Sequence, residues 1–265
     1  MSTIDRTREG LVRPFPAVTL AELDARGDVL ARLESKYILT ADELADLLNG
    51  ARSGFDVLEI DGRREFGYQT RYFDDEQRSC YHAHRQGRRR RWKVRARRYV
   101  ETGTCCTEIK MRGSRGLTIK RRLPSPAECL DALDGAALEG VRAAHREFYG
   151  ADIETRLLPA LDVRYRRITL SARHEPTRIT IDFDLACTAG DVTCRSGSGV
   201  LIVEVKSSLR RNCSGPLFSR LKRHPVKRLS KYCVGMAGTG SVARINRFKQ
   251  VMRRLELGDH AAAVA

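Results

Sequence analysis

The residues best equipped for chemistry in this sequence are lysines and arginines set at alternate positions. In RWKVRARRY, Arg91, Lys93, Arg95, Arg97 and Tyr99 share one parity, while Trp92, Val94 and Ala96 share the other with Arg98. Successive side chains of a strand point to opposite faces, so this stretch presents one cationic face and one apolar face. The same division recurs at Arg32, Glu34 and Lys36; at Glu108 and Lys110; at Thr118 and Lys120; and at Tyr165, Arg167 and Thr169. It recurs again at Arg178, Thr180, Asp182 and Asp184, and at Glu204 and Lys206. A merely solvated strand face mixes Ser, Thr, Gln, Glu and Lys, whereas these faces repeat cations with single acids inserted. Like charges on neighbouring strands repel unless an anion lies among them. The acids Glu34, Glu108, Asp182 and Glu204 are candidate ligands for a hard cation, because carboxylate oxygens suit Mg²⁺ or Mn²⁺ and phosphate oxygens complete the shell. Cations and a divalent metal gathered around phosphate are the equipment of phosphoryl transfer.

These faces need strands to carry them. Alternation and turn signals predict strands near 31–39, 67–74, 79–85, 90–100, 105–111, 117–122, 160–170, 177–185 and 200–206. A Thr-x-x-Glu capping box at Thr40 and Glu43 opens a helix that Gly50 ends. Further helices are predicted before Tyr149 and in the tail after Pro216, broken at Pro225 and in GMAGTG. The expected fold class is α+β: a closed antiparallel β-barrel of about eight strands, its charged face lining a tunnel and its apolar face covered by flanking helices. Residues 1–29 are read as an N-terminal arm or edge element, 30–258 as a single domain and 259–265 as a tail.

Composition fits that picture. The chain has 265 residues, 42% of them hydrophobic, with a formal charge of +16, so it can bury a core and calls for a polyanionic partner. Only nine of its 49 basic residues are lysines, which hints that each ammonium stands where a planar guanidinium would not serve. The N-terminal sequence lacks a signal-peptide pattern and no apolar run is long enough to span a bilayer, so a cytoplasmic location is expected. None of the eight cysteines forms a Cys-x-x-Cys pair, and they are read as reduced core thiols.

Nine segments in order, RLESKY (32–37), YQTRYFD (68–74), KVRARRY (93–99), EIK (108–110), TIKRR (118–122), YRRIT (165–169), RITID (178–182), VEVKS (203–207) and SKY (230–232), resemble the motifs of the VTC domain. This is the polyphosphate polymerase domain within the triphosphate tunnel metalloenzyme, or CYTH-like, superfamily. The resemblance implies a tunnel of antiparallel strands, a divalent metal, Mn²⁺ or Mg²⁺, and transfer of the ATP γ-phosphate to a growing polyphosphate chain with release of ADP. By the resemblance Lys36, Arg95, Arg97, Lys110, Lys120 and Arg167 are phosphate ligands, with Tyr165 beside them, and Glu204 is the metal ligand. Ser230 and Lys231 are the pair a C-terminal helix presents to the tunnel. Arg32, Lys93, Arg178 and Lys206 join the substrate-binding set from the cationic faces. Hydrolytic branches begin Glu-x-Glu-x-Lys; Arg32 stands in place of the first glutamate, which resembles the polymerase branch.

Other readings compete. Glu204 and Lys206 on one face can be an internal ion pair, and Glu34 and Glu108 can orient Lys36 and Lys110. His82 and His84 share a strand face at a spacing that can bind zinc, but no Cys or His cluster joins them. Arg88, Arg89 and Arg90 are read as a solvated turn, Tyr68 and Tyr72 as packing residues, and KRHPVKRLSKY as part of a structural helix. The rival functions are a tunnel triphosphatase or polyphosphatase and a non-catalytic polyphosphate-binding module. ATP and polyphosphate are the expected partners, with no specific nucleic acid, no membrane span, and a membrane-protein partner left open.

Overall fold

The computed structural model describes residues 8, 10–26, 32–113, 118–125, 130–133, 135–208 and 225–257. Eight antiparallel strands form one continuous hydrogen-bonded path in the order β2-β11-β9-β8-β4-β5-β6-β7. They are β2 (Arg32–Thr40), β4 (Glu65–Asp74), β5 (Arg91–Tyr99), β6 (Cys105–Arg112), β7 (Thr118–Pro124), β8 (Leu158–Ala172), β9 (Arg178–Ala189) and β11 (Val200–Ser208). Three short strands extend the sheet: β1 (Ala17–Val18) lies parallel to β3 (Phe55–Leu58), β3 pairs β8, and β10 (Val192–Arg195) pairs β9. The stretch expected as an arm or edge element therefore supplies an edge strand, followed by α1 (Leu20–Ala25) with its own Thr19/Glu22 capping box.

The apolar parity faces outward under helices. Tyr37, Leu39, Ile168, Leu170, Ile179, Ile181, Val203 and Val205 pack with Leu44, Leu47 and Leu48 of α2 (Ala41–Ala51). This helix carries the capping box read from Thr40 and Glu43, but it runs past Gly50 to Ala51. Val94, Ala96, Ile109 and Met111 pack with Val141 and Ala144 of α4 (Gly135–Tyr149). Burying side chains of this size contributes about 1.5–3 kcal/mol each, which commits the opposite, charged parity to the inside of the curved sheet.

Three expectations change. The path is not closed into a barrel: among the described residues no ladder joins β2 to β7. Side chains bridge the seam instead, Lys110 Nζ donating to Glu34 Oε2 at 3.4 Å. Lys120, Arg121 and Arg122 on the β7 edge are the charged residues that discourage further strand pairing. Second, 79–85 is a helix, α3 (Ser79–Gln86). Its first amides are taken by two preceding carboxylates: Asp75 accepts from Ser79 N, and Asp74 accepts from Cys80 N and Tyr81 N, at 2.8–3.0 Å. Gly87 ends it in the left-handed region at φ 72°. His82 and His84 thus share no strand face, and the imidazole Nδ1 of His84 bonds Cys80 O within the helix at 2.9 Å. Third, Asp184 leaves the inner face. It sits at φ 51° beside a register shift between β8 and β9, and its carboxylate receives two hydrogen bonds from Arg8. Past that bulge Leu185 and Cys187 turn inward, joining Leu161, Val163 and Tyr72.

Two helices complete the fold, α5 (Lys231–Gly238) and α6 (Lys249–Arg254). The helix expected through KRHPVKRLSKY begins only at Lys231; of the residues before it, 222–224 lie outside the described residues and 225–230 are turn and irregular chain. No helix among the described residues is long and apolar enough to cross a membrane. The six described cysteines are free and buried.

Candidate active site

Register lines the inner face up in rows. One row runs Tyr72, Arg95, Glu108 and Arg122 across β4, β5, β6 and β7. A second places Lys93, Lys110 and Lys120 directly opposite one another across β5, β6 and β7. A third runs Lys36, Glu204, Thr180 and Thr169 across β2, β11, β9 and β8. Of the nine lysines, Lys36, Lys93, Lys110, Lys120, Lys206 and Lys231 converge here, so the rare ammonium groups are concentrated where the charged parity faces inward.

Each acid organises a separate set of cations. Glu108 is 1% exposed and is met by Arg95 Nε at 2.7 Å, Lys120 Nζ at 3.1 Å, Arg122 Nε at 3.5 Å and Arg97 NH1 at 3.9 Å. Burial alone would raise its pKa, but the charges of Arg95, Arg97 and Lys120 hold it well below the carboxylate range. Asp182 takes Arg167 through both oxygens at 2.6 and 3.0 Å and also accepts from Lys231. Glu204 lies 2.8 Å from Lys206 and 3.2 Å from Lys36. Here too burial opposes ionisation, and Lys206 and Lys36 keep the carboxylate ionised. Glu34 binds Lys36 and reaches Lys110 across the seam. Glu34, Glu108 and Glu204 are thus all engaged in ion pairs.

Aromatic groups shape the floor. Tyr68 and Tyr165 stack at 5.1 Å, and Arg167 lies 5.1 and 5.2 Å from their centroids. Tyr165 OH accepts from Arg97 at 3.0 Å, and Tyr72 OH from Arg95 at 3.3 Å. These tyrosines therefore orient guanidinium groups as well as pack. At the N-terminus of α5, Ser230 Oγ accepts from Cys233 N at 3.4 Å and from Lys93 Nζ at 3.1 Å, so the helix start is tied to the lysine row.

Two predicted residues stand apart. Arg178 donates to Leu23 O at 3.1 Å, which holds its guanidinium against α1. Arg32 is placed by its backbone opposite Ser208, and its side chain lies outside the described residues. Conversely, Arg122 and Thr70 were not singled out from sequence. Arg122 has the same parity as Lys120 in TIKRR, a signal sufficient to find it. Thr70, 3.5 Å from Arg97 Nε, shares parity with Tyr68 and Tyr72 but carries no charge to mark it.

Among the described residues no three His, Cys, Asp or Glu side chains gather as a metal-binding group. The donors that fit a hard cation are Glu204 and Thr180. Thr180 stands opposite Glu204, is buried, and its hydroxyl has no hydrogen-bond partner among the described residues. Mg²⁺ is commonly held by one or two carboxylates plus substrate phosphates, so this oxygen pair suits a cation that arrives on phosphate.

The fold is a curved antiparallel sheet with a cationic, acid-punctuated inner face, and α2 and α4 pack on its apolar outer face. The VTC domain model matches residues 31–239, and the chain belongs to that family. Among solved structures it is similar to a putative adenylyl cyclase from Hippeastrum described as having a dominant triphosphatase activity, with 16% identity and a TM-score of 0.51 over 81% of this chain and 98% of that one. It is also similar to a putative adenylate cyclase from Bacillus halodurans, with 13% identity and a TM-score of 0.45 over 82% of this chain and 97% of that one. No curated protein sequence matches it.

Proposed function

We propose that this protein is an ATP-dependent polyphosphate polymerase that transfers the γ-phosphate of ATP to a polyphosphate chain held along the inner face. The reading rests chiefly on the line of Lys93, Lys110 and Lys120, three ammonium groups placed directly opposite one another on adjacent strands. Such a line is unfavourable in itself and favourable around a linear polyanion. Its lysines now reach apart, to Ser230, Glu34 and Glu108 respectively. A phosphate chain gives all three a common partner.

In this reading Lys93, Lys110, Lys120, Arg95 and Arg97 neutralise phosphate oxygens, while Lys36, Lys206, Arg167 and Lys231 hold the other portion of the substrates. Glu204 and Thr180 would hold a divalent cation, Mn²⁺ or Mg²⁺, which when bound supplies charge neutralisation at the phosphoryl oxygens. An ionised terminal phosphate is itself the nucleophile, so no strong base is required and alignment supplies most of the acceleration. The Glu108 and Asp182 hubs fix the guanidinium positions in advance. The cytoplasm, where ATP is available, is the proposed place of action.

The triphosphatase activity described for the Hippeastrum protein of similar fold makes hydrolysis the second reading. One experiment separates the two: incubation with ATP and Mn²⁺ or Mg²⁺, with ADP, orthophosphate and stained polymer measured together. ADP with polymer supports the polymerase, orthophosphate without polymer supports the hydrolase, and tight polyphosphate binding without turnover leaves a binding module. Glu204→Gln should abolish metal-dependent turnover while the protein still folds, at a lower melting temperature because Lys36 and Lys206 lose their shared carboxylate; full activity in that variant would remove Glu204 from the metal site.

A further inference from the structure

Cys187 on β9 and Cys194 on β10 stand directly opposite one another in an antiparallel hairpin. Opposed residues of such a pair lie about 4.5–5.5 Å apart at Cα, inside the range a disulfide spans. Both side chains are buried, and both thiols are free. They rest against α5 at its two glycines: a Cβ added to Gly235 would meet Cys187 Sγ at 2.8 Å, and one added to Gly238 would meet Cys194 Sγ at 2.7 Å. The helix that carries Lys231 into the site and starts at Ser230 is therefore seated on these two sulfurs.

We propose that Cys187 and Cys194 form a reversible disulfide that shifts the seat of α5 and thereby weakens polyanion binding at the inner face. Its effect on binding rests on the polyphosphate reading above; the bond itself does not. Drawing two sulfurs to the 2.05 Å of a disulfide changes the surface on which Gly235 and Gly238 lie. Neither glycine has a side chain that could adjust. The contacts at stake are Lys231 with Asp182 and Ser230 with Lys93.

The chemistry needs an oxidant of the peroxide class. A hydrogen bond donated by Cys187 lowers the pKa of Cys194, favouring its thiolate, and keeps the proton on Cys187. The Cys194 thiolate attacks a peroxide oxygen, the O–O bond breaks, and a sulfenic acid and hydroxide result. The Cys187 sulfur attacks the sulfenic sulfur, the S–O bond breaks, and its proton leaves with that hydroxide as water. Two electrons pass from the thiols to the peroxide, and a thiol reductant reverses the bond. Access is by way of β10, a four-residue strand that among the described residues pairs only with β9.

Trypsin provides a clean assay, because cleavage after Arg178 and Arg195 releases one peptide holding both cysteines and no others. After hydrogen peroxide treatment of the full chain, that peptide should lose two hydrogens and regain them with dithiothreitol. Amides of 231–238 should exchange faster in the oxidised protein, and affinity for linear polyphosphate should fall about fivefold or more. Cys194→Ala, outside the anion-binding set, should remove all three responses while folding as the parent does. A peptide unchanged while other cysteines oxidise would overturn the proposal. So would a bond that alters neither exchange nor affinity. If the reduced protein does not bind polyphosphate at all, the functional reading fails and the exchange of 231–238 decides the switch alone.

Discussion

Lys36 shows how much one buried ammonium reports. Burial, with Lys110 and Lys231 nearby, brings its pKa down to about 8 despite the pull of Glu204. Below pH 8 it is charged; as pH rises through 8 it becomes neutral in the ligand-free protein. A phosphate placed beside it favours the charged form, so binding near pH 8 to 9 should take up a proton. Polyphosphate affinity should then fall by at most about tenfold per pH unit above 8. Calorimetry in two buffers of different ionisation enthalpy measures the uptake, and Lys36→Arg should abolish it. Binding with no proton uptake in the parent would place the phosphate elsewhere. At this scale the sequence was informative wherever charge marked a residue. Parity placed Lys36, Lys93, Arg95, Lys110, Lys120 and Glu204 on the inner face, and the register confirms that face. It failed at Asp184, where one residue at φ 51° reverses the alternation, and it could not show that Arg178 donates to Leu23, 155 residues away. Neither a bulge nor a distant carbonyl leaves a mark in a two-residue period.

At the scale of elements, one carboxylate ties α3 to α5. Asp74, fully buried at the end of β4, accepts from the amides of Asp75, Cys80 and Tyr81 and from the hydroxyl of Tyr232. It satisfies the start of one helix and anchors the first turn of another. Replacing it with Ala strands four buried donors, each costing about 1–3 kcal/mol if left unsatisfied. Asp74→Ala should therefore lower the melting temperature by many degrees and expose α5 to hydrogen exchange, whereas Tyr232→Phe, which removes one bond only, should cost far less. Equal stability of Asp74→Ala and the parent would refute this anchoring. The same contacts explain why 79–85 looked like a strand: YHAHR alternates, and the alternation says nothing about carboxylates four to seven residues earlier that cap a helix. β5 and β9 were the most legible because apolar and polar residues alternate strictly over 91–97 and 178–185; β3 and β10, four residues each, were too short to show a period.

At the scale of the molecule, the inner face gathers cations from six strands and one helix around four acids, and among the described residues its seam between β2 and β7 is bridged by side chains and by no ladder. A flexible single chain of phosphates can thread among such groups; a double helix cannot bring its phosphates inside. Linear polyphosphate at 100 times its Kd should therefore raise stability by about 2.7 kcal/mol, seen as a higher melting temperature. Duplex DNA at equal phosphate concentration should neither stabilise the protein comparably nor displace polyphosphate. Equal effects of the two polymers would show that the anion site is an outer surface. By itself the sequence determined the strand faces, because side-chain direction follows from a local backbone period, and it determined the family, because nine ordered segments carry those faces. Only the tertiary structure decided which acid holds which cations, that Thr180 stands opposite Glu204 with no partner among the described residues, that Cys187 meets Cys194 beneath α5, and that no ladder among those residues closes the sheet. Those outcomes depend on register, bulges and curvature, which are set by contacts between residues far apart in the chain and leave no local pattern to read.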